Sequence, residues 1–305
     1  MREFTQYITP DGRTYNFDAL DKFLISETGF GMPAIEYQTQ RGPFQHGETA
    51  LDYRLKPRVI QIIHRSNACS RDDYYNDRST LLNFIRPNRQ LPGYFTPGIL
   101  RKVLPDGSRY DLKVFLEQGP EFVARSGDKW DEWSFQETIR FIAHNPIFYD
   151  PDLVTVNISG STINNLWEFP LTLPKPMGRN FLSDPVTTIT YTGTWLEYPG
   201  IVITGPMDGP TITNNSTGET ISLLYNINSG ETVTFNLGYG SKSAISNIAG
   251  DILWAVKDVS DLATFHLAPD PEVALGANTI LISAGAWLLG TSRISFQYHN
   301  RYIGL

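Results

Sequence analysis

Residues Ser70–Pro87 read SRDDYYNDRSTLLNFIRP. Ser70 has the short hydroxyl side chain that caps a helix by accepting an amide hydrogen bond. Asp72 and Asp73 put negative charge in the first turn, where unsatisfied N–H groups favour it. Tyr74, Leu81 and Ile85 fall on one helical face, widened by Tyr75 and Leu82. Pro87 stops the run because it cannot continue the backbone ladder. The spacing predicts one substantial helix over 70–86.

Outward from that helix the periodicity changes to that of strands. Just before it, Val59-Ile60-Gln61-Ile62-Ile63 is rich in β-branched residues and fits a buried strand. Phe4–Ile8 and Thr14–Phe17 flank Pro10-Asp11-Gly12, where proline pre-sets a turn dihedral, and so read as a hairpin. Phe23–Ile25 is a short apolar segment, and Ala34–Gln40 and Leu51–Leu55 bracket the breaker-rich Arg41–Gly47. After the helix come Ile99–Leu104, the turn Pro105-Asp106-Gly107, Tyr110–Glu117 and Trp133–Ala143. From residue 153 onward helical periodicity is almost absent. Val154–Ile158, Ile189–Tyr191, Gly200–Thr204, Thr211–Asn214, Glu219–Leu224, Thr232–Leu237, Ile252–Val256, Ala263–Leu267, Asn278–Ala284 and Arg293–Tyr298 are strand-like. Their even spacing marks a β-sandwich or barrel. Residues 160–185, with Pro170, Pro174, Pro176 and Pro185, read as an irregular connection. The class is mainly β, all-β with one notable helix.

Charge supports a division near residue 150. Of the 305 residues, 25 are Lys or Arg and 32 are Asp or Glu, a net charge of −7. Residues 1–150 hold 19 basic and 20 acidic side chains, whereas residues 151–305 hold 6 and 12. Two domains, 1–150 and 151–305, with different surface chemistry are expected. The acidic balance argues against a protein that grips nucleic acid by neutralising phosphates. No apolar run is long enough to span a membrane, and the first residues develop no apolar signal core. The expectation is a soluble chain made in a cytoplasm.

The chemistry-bearing residues form no catalytic or ligand-binding motif. His46, His64, His144, His266 and His299 are scattered, with no pair at helical ligand spacing, so no metal site is assigned. The single cysteine, Cys69, excludes an intrachain disulfide and reads as a small semi-buried residue. Gly238-Tyr239-Gly240-Ser241-Lys242-Ser243 lacks the spacing of a phosphate loop and joins strand-like segments, so it reads as a hairpin turn. Asp128-Lys129-Trp130-Asp131-Glu132-Trp133 could supply paired carboxylates, but adjacent residues on a strand point to opposite sides and cannot flank one bond. Sequons at Asn157, Asn214 and Asn215 matter only for a secreted chain. No catalytic, cofactor-binding or metal residue is assigned, and the chain is read as a non-enzyme without a cofactor.

Several segments in order resemble the siphovirus-type distal tail proteins of bacteriophages. They are the opening hairpin, Gly29-Phe30-Gly31-Met32-Pro33, Glu36–Gln40 leading to Gly47, and Arg58–Ile63 followed by the helix and the break at Arg86-Pro87-Asn88. Phe141–Tyr149 is similar to the segment closing the family's first domain. Tyr191–Thr194, Tyr198–Gly205, Ile212–Asn214, Thr217–Glu219 and the finish at Asn300–Ile303 continue the likeness. Pro269–Glu272 and Leu275–Ile280 depart from it. The resemblance implies an N-terminal β-rich belt or ring domain (1–150) followed by a galectin-like β-sandwich domain (151–305). It implies a structural virion protein of the tail tip, or baseplate, of a siphovirus, assembled in the host cytoplasm. As a homo-hexamer it would ring the distal end of the tail tube and join the tail tube protein to the tail-tip hub protein. Receptor-binding or side-fibre proteins would be further partners. DNA would pass through the lumen without specific binding, and no membrane is involved. The alternative class is a carbohydrate-binding module or lectin-like host-recognition protein.

Overall fold

The structure is a computed structural model that describes residues 3–19, 22–87, 96–122, 134–159, 161–162, 182–183, 185–285 and 291–305. Asp128–Trp133, Asn88 and most of the 160–185 connection lie outside the described residues. The chain forms two compact units, Met1–Pro151 together with Tyr302–Leu305, and Asp152–Arg301. The last four residues, grouped by sequence with the second half, thus belong to the first unit.

The first unit contains β1 (Phe4–Ile8), β2 (Thr14–Asn16), β3 (Lys22–Thr28), β4 (Ile35–Gln40), β5 (Thr49–Leu55), β6 (Arg58–Asn67), α1 (Arg71–Ile85), β7 (Gly98–Val103), β8 (Arg109–Gln118), β9 (Ser134–Ala143) and β10 (Phe148–Tyr149). Its sheet runs β2-β1-β7-β8-β9-β6-β3, and each neighbouring pair is antiparallel. In β6 alternate residues turn inward, so Ile60 and Ile62 are fully buried while Val59 is exposed. That alternation follows from the pleat. Ser70 caps α1 as its sequence predicts, its Oγ accepting from the Asp73 amide at 3.2 Å. Leu81 and Ile85 dock α1 onto a core that includes Tyr7, Phe17, Leu100, Leu112, Phe141 and Phe148.

The second unit is a sandwich. A six-stranded sheet runs in the order Val154–Ser159, Arg293–Tyr298, Gly200–Thr204, Thr232–Asn236, Ser243–Ser246, Gly250–Asp251. A four-stranded sheet runs Val186–Thr190, Ala277–Ser283, Thr211–Asn214, Glu219–Ser222. Ile201, Ile203, Phe235, Ile294 and Phe296 from the first share one core with Ile189, Ile212, Ile221, Ile280 and Ile282 from the second. Packing two half-apolar sheets face to face removes both faces from water, which is the driving force for this architecture.

Two expected strands are not strands. Ile252–Val256 is instead a short 3-10 turn, Leu253–Ala255, and Ala263–Leu267 contributes only an isolated bridge from Leu267 to Glu197. Both segments still bury apolar side chains: Phe265 and Leu267 at alternate positions, Ile252 and Ala255 three apart, as a 3-10 turn places them. Their side chains plug the sandwich core from irregular backbone. Conversely, the short strand Ser243–Ser246 follows the turn at 238–242 and pairs with Thr232–Asn236, which makes that glycine-rich segment a hairpin connection.

Candidate functional site: an unpartnered hairpin arm

Among the described residues β4 and β5 pair only with each other and form a two-stranded sheet apart from the main one. The register sets Ile35 opposite Leu55 and Tyr37 opposite Tyr53, with a bulge between Gln38 and Thr39. The turn between the strands is held by Gln45, whose amide donates to the Gly42 carbonyl at 3.2 Å. Its side-chain oxygen accepts from the Gly42 amide at 2.9 Å. Every residue of both strands except Ile35 and Leu55 is exposed, on both faces. Tyr37 is 60% exposed, Leu51 62%, Tyr53 49%, and Phe44 at the tip stands fully in solvent.

A lone two-stranded hairpin is marginal in water, and large apolar side chains exposed together mark an interaction surface. Among the described residues the arm therefore leaves two open strand edges and several exposed aromatic side chains. In the same unit β3 forms an edge of the main sheet, with Phe23 and Ile25 both about half exposed.

The residues weighed from sequence as chemical groups are dispersed. His64 is buried against Glu137. His266 lies between Glu219, 3.0 Å from Nδ1, and Glu272, 3.1 Å from Nε2. His46 and His144 are exposed. Among the described residues no group of three or more His, Cys, Asp or Glu is placed to hold a metal. Cys69 is exposed rather than semi-buried. Lys242 donates to the carbonyls of Leu262 and Ala263 at 2.7 and 2.6 Å, so its ammonium anchors a turn. Asn214 is buried, with its amide nitrogen donating to His266 O and Asn278 Oδ1, and no glycan can be attached there. Among the described residues no helix is long and apolar enough to cross a membrane.

The sequence signal that could have singled out the arm is weak. Its strands read like any half-buried pair, and only the absence of a third strand distinguishes them.

Fold and surface together define an all-β, two-unit protein whose first unit carries a hairpin that, among the described residues, pairs with no further strand. No family model matches the sequence, and no curated protein does. Among solved structures it is similar to the SPP1 Dit (gp 19.1) protein, described as a paradigm of the hub adsorption apparatus in phages infecting Gram-positive hosts. That likeness covers 99% of both chains with a TM-score of 0.62 at 14% identity. Two structures of the phage P2 baseplate in its activated conformation, one with Ca and one with Sr, match over 98% of both chains at 9% identity, with TM-scores of 0.48 and 0.47. The resemblance to distal tail proteins is thus borne out as a likeness of fold along the whole chain.

Proposed function

We propose that this chain is a structural protein of the tail tip of a long-tailed phage, carrying no enzymatic step of its own. Six copies close into a ring at the distal end of the tail tube, joining tube to tail-tip hub and leaving a lumen through which DNA passes. The first unit is the ring-forming belt, and the second is a galectin-like sandwich that serves as a docking platform for peripheral proteins. The observation that carries this reading is the β4–β5 arm, whose exposed Tyr37, Leu51 and Tyr53 need a covering surface. A heterologous contact, arm of one copy onto a different face of the next, repeats around a ring until it closes. The Dit-like fold supplies the context.

Negative-stain imaging and sedimentation velocity of the purified chain test the reading, alone and with its tube and hub proteins. A six-fold ring is expected, and L51E should yield a folded monomer with an unchanged melting temperature. A chain that stays monomeric with both partners present overturns the ring.

A further inference from the structure

The root of the arm is held by one buried arginine. Arg58, the first residue of β6, stands three positions after the end of β5 and is 3% exposed. Its Nε donates to Pro146 O at 2.8 Å, Nη1 to Gly29 O at 2.6 Å and also to Gly31 O, and Nη2 to Ile303 O at 2.6 Å. The guanidinium lies over the Phe148 ring at 4.6 Å, and Phe148 stacks on Phe30 at 5.9 Å. All of its acceptors are main-chain carbonyls. Burial without a carboxylate partner pulls the guanidinium down to about 10, so it stays protonated at neutral pH. A rigid fork with five donors can satisfy several carbonyls at once, which a lysine ammonium cannot do in the same plane.

Two of those carbonyls, of Gly29 and Gly31, belong to the segment that enters the arm, that of Ile303 to the chain's last residues, and that of Pro146 to the turn between β9 and β10. Gly29 and Gly31 lead through Ala34 into β4, and the Lys56 amide closes the arm by donating to Ala34 O at 2.8 Å. Gly29 has φ +96, and a Cβ there would meet Val59 O at 2.2 Å, so the entering loop is pressed against the start of β6. From the other side comes the tail. Leu305 donates to Phe30 O at 3.0 Å, Tyr302 stands edge-on to Tyr110 at 4.9 Å, and a Cβ on Gly304 would meet Gly31 C at 2.9 Å. Residues separated by up to 245 positions thus converge on one side chain at the base of the arm.

We infer that Arg58 and the 302–305 segment position the arm. The tail wedges the 29–31 loop, Arg58 ties both to β6, and together they fix the direction in which β4 and β5 leave the sheet. The inference rests on the arm being the docking element, but its structural half stands without the ring. Among the described residues the arm's own strands make no pairing outside the arm that could set this direction.

The test is amide hydrogen exchange on the full chain and on the variants R58K and G304V, read alongside thermal melting and ring formation. In both variants the amides of Lys56 and of β4 and β5 should exchange at least about tenfold faster, the loss expected for charge-assisted hydrogen bonds at the root. Amides of β7, β8 and β9 should keep their protection, and rings should be lost or become irregular. Exchange in the arm that is unchanged in G304V overturns the inference, because that variant leaves Arg58 intact and disturbs only the wedge. Protection lost equally throughout the unit in both variants also overturns it, since Arg58 would then be a general core residue. If the unmodified chain forms no ring, the proposed function fails while the exchange result still decides whether the root is clamped.

Discussion

His64 and Glu137 face each other across β6 and β9, both wholly buried, with the imidazole Nδ1 hydrogen-bonded to the carboxylate. The rings of Tyr15 and Phe17 stand edge-on to the imidazole, at 6.0 and 5.7 Å. Burial raises the Glu137 carboxyl above its ordinary 4.5, against the opposing pull of His64 and, more weakly, Arg78. Among the described residues His64 Nε2 and Glu137 Oε2 have no hydrogen-bond partner.

The pair makes stability depend on pH in a defined direction. A raised carboxyl holds its proton in the native state to higher pH than in the unfolded chain. Stability therefore declines as pH rises from about 4.5 through the raised value, and the contribution is complete below that window. Denaturant titrations across mildly acidic pH should show this decline in the natural chain and its absence in E137Q, which has no proton to lose. E137A should cost about 3 kcal/mol, because it leaves a buried imidazole without its partner. The double variant H64L/E137L should recover most of that loss, since an apolar pair leaves nothing unsatisfied.

The helix cap gives a second, smaller prediction. Ser70 Oγ accepts from the Asp73 amide and donates to Asp73 Oδ2 at 2.7 Å. S70A should destabilise the first unit by about 1 kcal/mol and S70G by only a few tenths, measured by urea unfolding. An S70A variant as stable as the natural chain would show that the hydroxyl contributes nothing as a cap.

A third concerns the sandwich. Asn278 is fully buried, its Nδ2 donating to the Ala268 and Gly276 carbonyls at 2.9 Å each, and its Oδ1 accepting from Ala268 N at 2.9 Å and Asn214 Nδ2 at 3.1 Å. This one side chain stitches the 268–276 loop to the strand that follows it. N278A strands several buried polar groups at once and should cost about 3 kcal/mol or more. N278L should do no better, although it fills more of the volume, because size is not what the site lacks. Calorimetry of the two variants decides this.

What could be read in advance was what is local. The cap at Ser70, the stop at Pro87 and the turns around Asp11 and Asp106 depend on neighbours a few residues away, and the helix and hairpins lie where those signals put them. The strands Gly200–Thr204, Thr211–Asn214 and Arg293–Tyr298 were legible because one face of each is pressed into a core. Ser243–Ser246 was not, since serine and alanine have little intrinsic preference for strands and its pairing partner supplies the structure. Ile252–Val256 misled because its β-branched and apolar residues suit a strand, whereas the segment buries Ile252 and Ala255 three apart through a 3-10 turn. Arg58 gave no sign of its role, as its partners lie 27 to 245 residues away. The arm escaped notice for a related reason. Its sequence specifies the hairpin, but whether a third strand joins it is decided elsewhere in the fold.

The last prediction concerns charge in the assembled state and rests on the proposed ring. Six copies of a chain at −7 carry −42 in total. A conduit lined by Lys and Arg would release counterions from DNA and hold it tightly, in a strongly salt-dependent way, which would stall transit. An acidic or neutral lining repels phosphate at close range, within a screening distance of about 8 Å at physiological salt. Apart from buried ones such as Arg58, the 25 basic residues are therefore expected to face mainly subunit contacts and the outer surface. Purified rings should show no retention of double-stranded DNA at low or physiological salt in a mobility-shift assay. Tight binding that weakens steeply with added salt would establish a basic lumen and refute the charge argument, while leaving the ring itself intact.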